Sequence, residues 1–119
     1  MRIRPFVEII PLKDVSLNRG AIEAAYFDAR ESAPRLPART MAGFLCVKQA
    51  VVAAARSAGT GSACCEKDII VGHDGYGAAR IVEMPAAVRD MLPGVCVSVS
   101  HTSDHACGCA VVEEDAIDA

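Results

Sequence analysis

The sequence predicts a single α+β domain over residues 1–119, and three observations support this class. The length of 119 residues suits one compact domain with a sizeable core. The Ala-rich segment 40–58 is typical of a long helix, and strand-like segments lie towards both ends of the chain. The hydrophobic fraction is 52% but the aromatic fraction only 4%, so we expect a core of Ala, Val, Ile and Leu.

The N-terminal half is expected to contain one strand and one helix. Residues 3–10 (IRPFVEII) resemble a strand at a sheet edge, because Pro5 has no amide hydrogen to donate to a second neighbour. Residues 19–31 (RGAIEAAYFDARE) are typical of a helix that Ser16 or Asn18 can cap. The two prolines that follow are expected to end it.

A long second helix is predicted over residues 40–58, with Thr40 as its N-cap and Gly59 ending it in the left-handed conformation. The Gly-Thr-Gly sequence at 59–61 follows this helix instead of opening one, so it is a weak candidate for a phosphate-binding loop. Two hairpin strands, one short helix and two further strands complete the domain, over residues 68–72, 79–84, 85–92, 95–100 and 106–113.

Charge and composition exclude several classes of function. The net charge of −3 argues against nucleic-acid binding. No apolar segment approaches the roughly 18–20 residues that span a bilayer, and the first residues do not resemble a signal peptide, so we expect a cytoplasmic protein. Residues 29–60 carry five basic side chains and one acidic one, which favours an anionic ligand, an acidic partner or merely a solvated basic face.

The six cysteines do not follow the usual spacings of a zinc site. Cys64 and Cys65 are adjacent, and Cys107 and Cys109 are separated by one residue. On a strand, Cys107 and Cys109 share one face, and we expect them to act as small core residues.

Two stretches carry polar side chains in unusual surroundings. Lys48 and Gln49 interrupt an otherwise apolar helical segment. Ser98 and Ser100 alternate along a strand that ends at His101, and strand ends commonly position reactive side chains. His101 is therefore a candidate ligand-binding residue, with a role in the loop or at the surface as the alternative. His101 and His105 would chelate a metal on a helix, but a strand–loop–strand context does not require them to converge.

In combination these segments resemble the holo-acyl-carrier-protein synthase family of 4′-phosphopantetheinyl transferases. The order of the motifs carries the resemblance, over residues 4–114: FVEI, AIEAAYF, AGFLCVKQAVVAA, GTG, KDIIV, GHDGYGAARI and VSVSHTSDHACGCAVVEE. The family's corresponding patterns are approximately D-I-V-E-I, E-x-x-Y, A-G-R-F-A-A-K-E-A, G-T-G, K-D-I-E-V, N-G-x-P and S-I-S-H-T-x-x-x-A.

The resemblance implies a small domain in which an antiparallel sheet packs on a long helix. It also implies transfer of 4′-phosphopantetheine from coenzyme A to a serine of acyl carrier protein, with magnesium bound to the pyrophosphate, often in a homotrimer. Lys48 would then be a fixed positive charge near the phosphates and part of the catalytic set with position 49. The family's nucleotide-contacting motif corresponds to Ser98, Ser100, His101 and Thr102.

Three positions depart from the family pattern. Pro5 and Gln49 stand where the two metal-binding carboxylates belong, and Phe44 stands where the motif has an arginine. Gln49 still offers a neutral carbonyl oxygen, but Pro5 offers no side-chain donor, so we expect weak magnesium binding. Glu8 or a partner chain is the candidate replacement ligand. The sequence therefore leaves three hypotheses: a working transferase, a catalytically lapsed homologue that binds carrier protein or nucleotide as a regulatory or assembly partner, and a globular domain that shares the fold and binds neither ligand.

Overall fold

A computed structural model describes residues 2–59 and 64–113 of the chain. These residues form five strands and four α-helices, joined in part by 3₁₀ turns at Ala29–Glu31, Ala33–Arg35 and Glu66–Asp68. The elements are β1 (Ile3–Pro11), α1 (Leu12–Leu17), α2 (Arg19–Tyr26), α3 (Ala38–Ser57), β2 (Ile70–His73), β3 (Ala79–Glu83), α4 (Ala86–Met91), β4 (Cys96–His101) and β5 (His105–Glu113). No described helix is long and apolar enough to cross a membrane.

The strands form two antiparallel sheets. β5 lies between β1 and β4 in a three-stranded sheet, and β2 pairs with β3 in a hairpin. Alternate β5 residues, from Ala106 to Val112, are buried on the inner face of the larger sheet. On β1 the outer face is apolar and exposed: Ile3, Val7 and Ile9 retain 64%, 52% and 63% of their accessible surface.

Helix α3 packs on the inner face and forms most of the core. Every residue from Met41 to Lys48 is buried. The contact is close because Gly108 of β5 lies directly under the helix, where an added Cβ would be 2.5 Å from the Cβ of Cys46. Gly43 of the helix lies against Val99 of β4 in the same way. The small residues at this contact let the helix and the sheet approach each other closely. A sheet packed on a long helix is the α+β arrangement that the sequence predicted.

Most of the predicted elements are confirmed within two or three residues. The structure contains the first strand, the long helix, the hairpin, the short helix after Pro85 and both C-terminal strands. Gly59 has φ +87°, so it ends α3 in the left-handed region as expected. The segment 60–63, which includes most of the Gly-Thr-Gly sequence, lies outside the described residues.

Two details of the helix prediction are wrong. Instead of one helix over residues 19–31, the chain forms α2 and a separate 3₁₀ turn, and α1 precedes them as a helix that was not predicted. Asn18 occupies the N-cap position of α2, as predicted, but its side-chain amide donates to the carbonyl of Asp14 in α1 and makes no capping bond to α2. The N-cap of α3 is Pro37, three residues before Thr40, and it has no side chain that could bond to the first turn.

Candidate functional site

Lys48 lies inside the molecule, although its place in the motif suggested a surface that binds phosphate. Its side chain is fully buried. The ammonium nitrogen donates to Glu31 Oε1 at 2.6 Å, to the carbonyl of Glu66 at 3.3 Å and to the carbonyl of Ile69. Because an ammonium group has three hydrogens, these three acceptors use its whole donor capacity. The Phe27 ring lies 4.8 Å from the same nitrogen and shields it further.

The carboxylate of Glu31 offsets the energetic cost of burying the Lys48 ammonium group. Its carboxylate also accepts from the backbone N–H groups of Asp28, at 2.9 Å, and Val71, at 3.0 Å. The pair therefore joins three separate segments, namely the first 3₁₀ turn, α3 and β2. Burial lowers the pKa of Lys48, whereas the hydrogen bond and the charge of Glu31 oppose that change. A phosphate contact by Lys48 stays a prediction, and in this structure it requires the ion pair to open.

A surface cavity of about 220 Å³ lies where the start of α3 meets the hairpin and β4. Its polar and aromatic lining consists of Arg39, Thr40, Phe44, His73, Ser98 and His101. The Phe44 and His73 rings contact each other, with centroids 5.0 Å apart and planes tilted by 51°. None of the described lining residues is acidic. Three basic side chains therefore surround a small cavity without a carboxylate among its described walls.

The structure brings only part of the predicted nucleotide-binding motif to this cavity. Ser98 and His101 line it, whereas Ser100 and Thr102 are not among its lining residues. Ser98 and Ser100 are exposed on the outer face of β4, opposite Cys109 and Cys107 of β5. The hydroxyl of Thr102 accepts from the N–H groups of the residues two and three positions later, at 3.2 Å each, and so closes the turn between β4 and β5.

The described residues do not fit a magnesium site at the expected position. Pro5 is exposed and lies opposite Val111, on the outer face of the sheet, whereas Gln49 is half-buried on α3, which packs on the inner face. Glu8, the candidate replacement, is half-buried on the inner face opposite Gly108. Among residues 2–59 and 64–113, no group of three or more His, Cys, Asp or Glu side chains could hold a metal ion. Position 5 therefore lies on the outer face of the sheet, whereas position 49 lies on the helix that covers the inner face.

The cysteines are all free thiols, but they differ in how far they are buried. Burial raises the pKa of Cys46 to about 12 and that of Cys64 to about 11, so both remain protonated and unreactive near neutral pH. Cys107 and Cys109 share one face of β5 as expected, but the expectation that they are core residues is wrong. They are half-exposed on the outer face of the sheet, opposite Ile9 and Val7.

The basic segment that the sequence suggested as a binding surface is only partly available. Arg30 donates to Asp28 and Glu83, so its charge is already paired. Arg35 and Arg39 are exposed, and Arg39 lines the cavity. The sequence reasoning missed His73, which the hairpin brings beside Phe44. The available signal was the position of His73 at the end of a predicted strand, next to the turn of the hairpin.

Neither the protein-family models nor the curated proteins include a match to this sequence. Solved structures do match it across nearly its whole length. A holo-(acyl-carrier-protein) synthase from Bacillus anthracis, in complex with CoA (3′,5′-ADP), is 21% identical with a TM-score of 0.70, over 92% of this chain and 94% of that one. The Helicobacter pylori synthase in complex with coenzyme A is 17% identical with a TM-score of 0.73, over 92% of this chain and 100% of that one.

The acyl carrier protein synthase from Mycobacterium tuberculosis is 23% identical, with a TM-score of 0.68, over 92% of this chain and 95% of that one. At these sequence identities the comparison establishes the fold alone. The chain has the holo-acyl-carrier-protein synthase fold, and the fold that the motif order implied is confirmed.

Proposed function

We propose that this protein binds coenzyme A and transfers its 4′-phosphopantetheine group to a serine of an acyl carrier protein. One observation carries the proposal: the chain shares its fold, across 92% of its length, with synthases whose structures contain coenzyme A. The order of the seven sequence motifs supports the same activity. The fold alone admits other functions, so the site must be tested directly.

The reaction places definite demands on the protein. The serine oxygen of the carrier protein forms a bond to the phosphorus next to the pantetheine, and the bond from that phosphorus to the bridging oxygen breaks. Adenosine 3′,5′-bisphosphate leaves, and the serine proton passes to a base or to water. The phosphates carry negative charge throughout, so fixed cations and oriented N–H groups must stabilise it. Arg39, His73 and His101 are the basic side chains that line one described cavity.

A second candidate function is a homologue that has lost transfer and keeps only binding. The poor fit of the described residues to magnesium favours it, since the family activity uses a metal at the positions of Pro5 and Gln49. Such a protein would bind coenzyme A, its nucleotide portion or carrier protein as a regulatory or assembly partner.

One experiment separates these candidates. The protein is incubated with apo acyl carrier protein, coenzyme A and magnesium or manganese, and the carrier is weighed by intact mass spectrometry. A phosphopantetheine adduct that grows with enzyme concentration supports transfer. No adduct at high enzyme concentration refutes it, and calorimetric titration with coenzyme A and with the carrier protein then tests the binding function.

We also propose that the outer face of the three-stranded sheet is the contact of a homotrimer. This face presents Ile3, Val7 and Ile9 in an exposed row, and exposed apolar patches commonly mark such contacts. Light scattering after size-exclusion chromatography tests the proposal. A trimer that dissociates on Val7→Asp together with Ile9→Asp supports it, and a monomer in the unmodified protein refutes it.

A further inference from the structure

We propose that Cys109 from three copies of this chain forms a site for a thiophilic metal ion of the class of Zn²⁺ and Cu⁺, at the centre of the homotrimer contact on the outer face of the sheet. The inference rests on the proposed homotrimer, since one chain supplies only one thiol to the site. It does not depend on coenzyme A or on the transfer reaction.

Three of the six cysteines lie on the outer face of the three-stranded sheet. Cys107 and Cys109 alternate with buried residues of β5, and Cys96 of β4 lies opposite Val111. The thiols of all three are free. Cys107 and Cys109 are half-exposed, so a ligand can reach them, unlike the two buried cysteines. The outer face therefore carries the accessible thiols of the sheet.

Cys109 lies at the centre of this face. β5 is the middle strand of the sheet, and Cys109 is the middle residue of β5. Val7 of β1 and Ser98 of β4 lie opposite it on either side. In a threefold assembly, equivalent residues of the three chains meet only at the symmetry axis. When three such faces pack together, the centre of each face lies nearest to that axis, so the three Cys109 thiols converge.

The composition of the face favours further copies of the same chain as its partners. Between His105 and Glu113, at the two ends of β5, the described residues of the face carry no charge. They are Pro5, Val7 and Ile9 of β1, Cys107, Cys109 and Val111 of β5, and Cys96, Ser98 and Ser100 of β4. Such a face meets its own copy without repulsion between like charges, and it offers a charged partner no opposite charge. The short side chains along β5 and β4 also let the backbones approach closely.

One chain alone does not complete a metal site here. Among residues 2–59 and 64–113, no group of three or more His, Cys, Asp or Glu side chains could hold a metal ion. Cys107 is two positions from Cys109 along the strand, roughly 7 Å away, and Cys96 is its diagonal neighbour on β4, at about 7–8 Å between Cα atoms. Three sulfurs that each bind one Zn²⁺ at about 2.3 Å lie only about 4 Å from one another. Equivalent thiols around a threefold axis meet this requirement.

The chemistry of the site is that of thiolate ligands. Each Cys109 thiol gives its proton to the solvent as its sulfur binds the ion, so the step needs no oxidant or reductant. Sulfur ligands select Zn²⁺ and Cu⁺, whereas Mg²⁺ prefers oxygen ligands. The bound ion stabilises the trimer, because it binds the assembled form and not the separate chains.

The test measures metal stoichiometry by native mass spectrometry and zinc affinity by calorimetry, on reduced protein treated with a chelator. We expect one Zn²⁺ for every three chains. Cys109→Ser keeps the size of the side chain and should weaken zinc binding at least about a hundredfold, since even the loss of an outer-shell partner costs about 10–100-fold. The matched controls are Cys96→Ser on the same face and Cys65→Ser elsewhere, both at exposed cysteines. They should stay within about twofold of the unmodified protein.

The variant Val7→Asp with Ile9→Asp gives a second test that keeps every thiol. Once circular dichroism shows that it is folded and light scattering that it is a monomer, it should bind no zinc, because its Cys109 thiols no longer meet. Zinc bound with unchanged affinity by this monomer or by Cys109→Ser overturns the site, and so does one ion per chain. A trimer of the unmodified protein that binds no zinc refutes the site alone, and a monomer of the unmodified protein refutes both the trimer and the site. Phosphopantetheine transfer is measured separately on the carrier protein, so none of these outcomes decides it.

Discussion

Replacing Lys48 by methionine should destabilise the protein strongly, because the lysine is half of a buried ion pair. Both side chains of the pair are 0% exposed, so water does not screen the interaction. Methionine fills a similar volume but leaves the Glu31 carboxylate buried with only the two N–H groups of Asp28 and Val71. Removing one partner of a buried pair costs about 3–5 kcal/mol. A domain of this size has about 5–15 kcal/mol of stability in total.

Urea unfolding followed by circular dichroism measures this cost. With a slope of about 2 kcal/mol per molar urea, the loss moves the midpoint down by about 2 M. The double variant Glu31→Gln with Lys48→Met removes both charges, so it should lose less than the sum of the two single variants. A change below about 1 kcal/mol for Lys48→Met, together with loss of coenzyme A binding, would refute this reasoning. It would mean that Lys48 faces the ligand in solution and that the pair with Glu31 is not formed.

Three further predictions concern the core and the metal positions. Gly108→Ala should cost about 1–3 kcal/mol in urea unfolding, since its Cβ would lie 2.5 Å from Cys46, whereas Gly20→Ala in α2, with nothing within 4 Å, should stabilise by about 0.5–1 kcal/mol. The pKa of Cys46 is raised from 9.0 to about 12 in the fold, so the unfolded chain releases this proton first, and stability should fall by about 1.4 kcal/mol per pH unit above pH 9. Cys46→Ala should reduce this loss of stability with pH, whereas replacement of the exposed Cys65 by alanine should not. Equal slopes of stability against pH in the two variants would contradict the assignment of this pH dependence to Cys46. Gln49→Glu should increase magnesium affinity in calorimetry, because Gln49 and the half-buried Glu8 both lie on the α3 side of the sheet, whereas Pro5→Asp should add nothing, because position 5 lies on the outer face; a gain from Pro5→Asp would contradict that placement.

The sequence predicts the elements whose signals are local. The Ala-rich composition of α3 and the left-handed Gly59 are both properties of neighbouring residues, and both are confirmed. The ion pair of Lys48 could not be predicted in this way, because Glu31 is 17 residues away and belongs to a different turn. The sequence pattern of β5 also does not predict which of its two faces is buried. Ala106 and Ala110 alternate with Cys107 and Cys109, so small apolar residues occupy both faces, and only the packing of α3 decides between them.

The neighbouring residues Lys48 and Gln49 lie in different surroundings because successive residues of a helix point about 100° apart. Lys48 points into the core and pairs with Glu31, whereas Gln49 lies on the half-buried side of α3. A substitution at Gln49 therefore changes a ligand position without touching the internal pair. The basic side chains that line the cavity come from the first turn of α3 and from the ends of β2 and β4. The basic residues of the cavity and the expected metal position at Gln49 therefore lie in different parts of the fold. A variant that restores the carboxylate at 49 should raise metal affinity while the affinity for coenzyme A without metal stays the same, and a change in both would mean that the two sites are one.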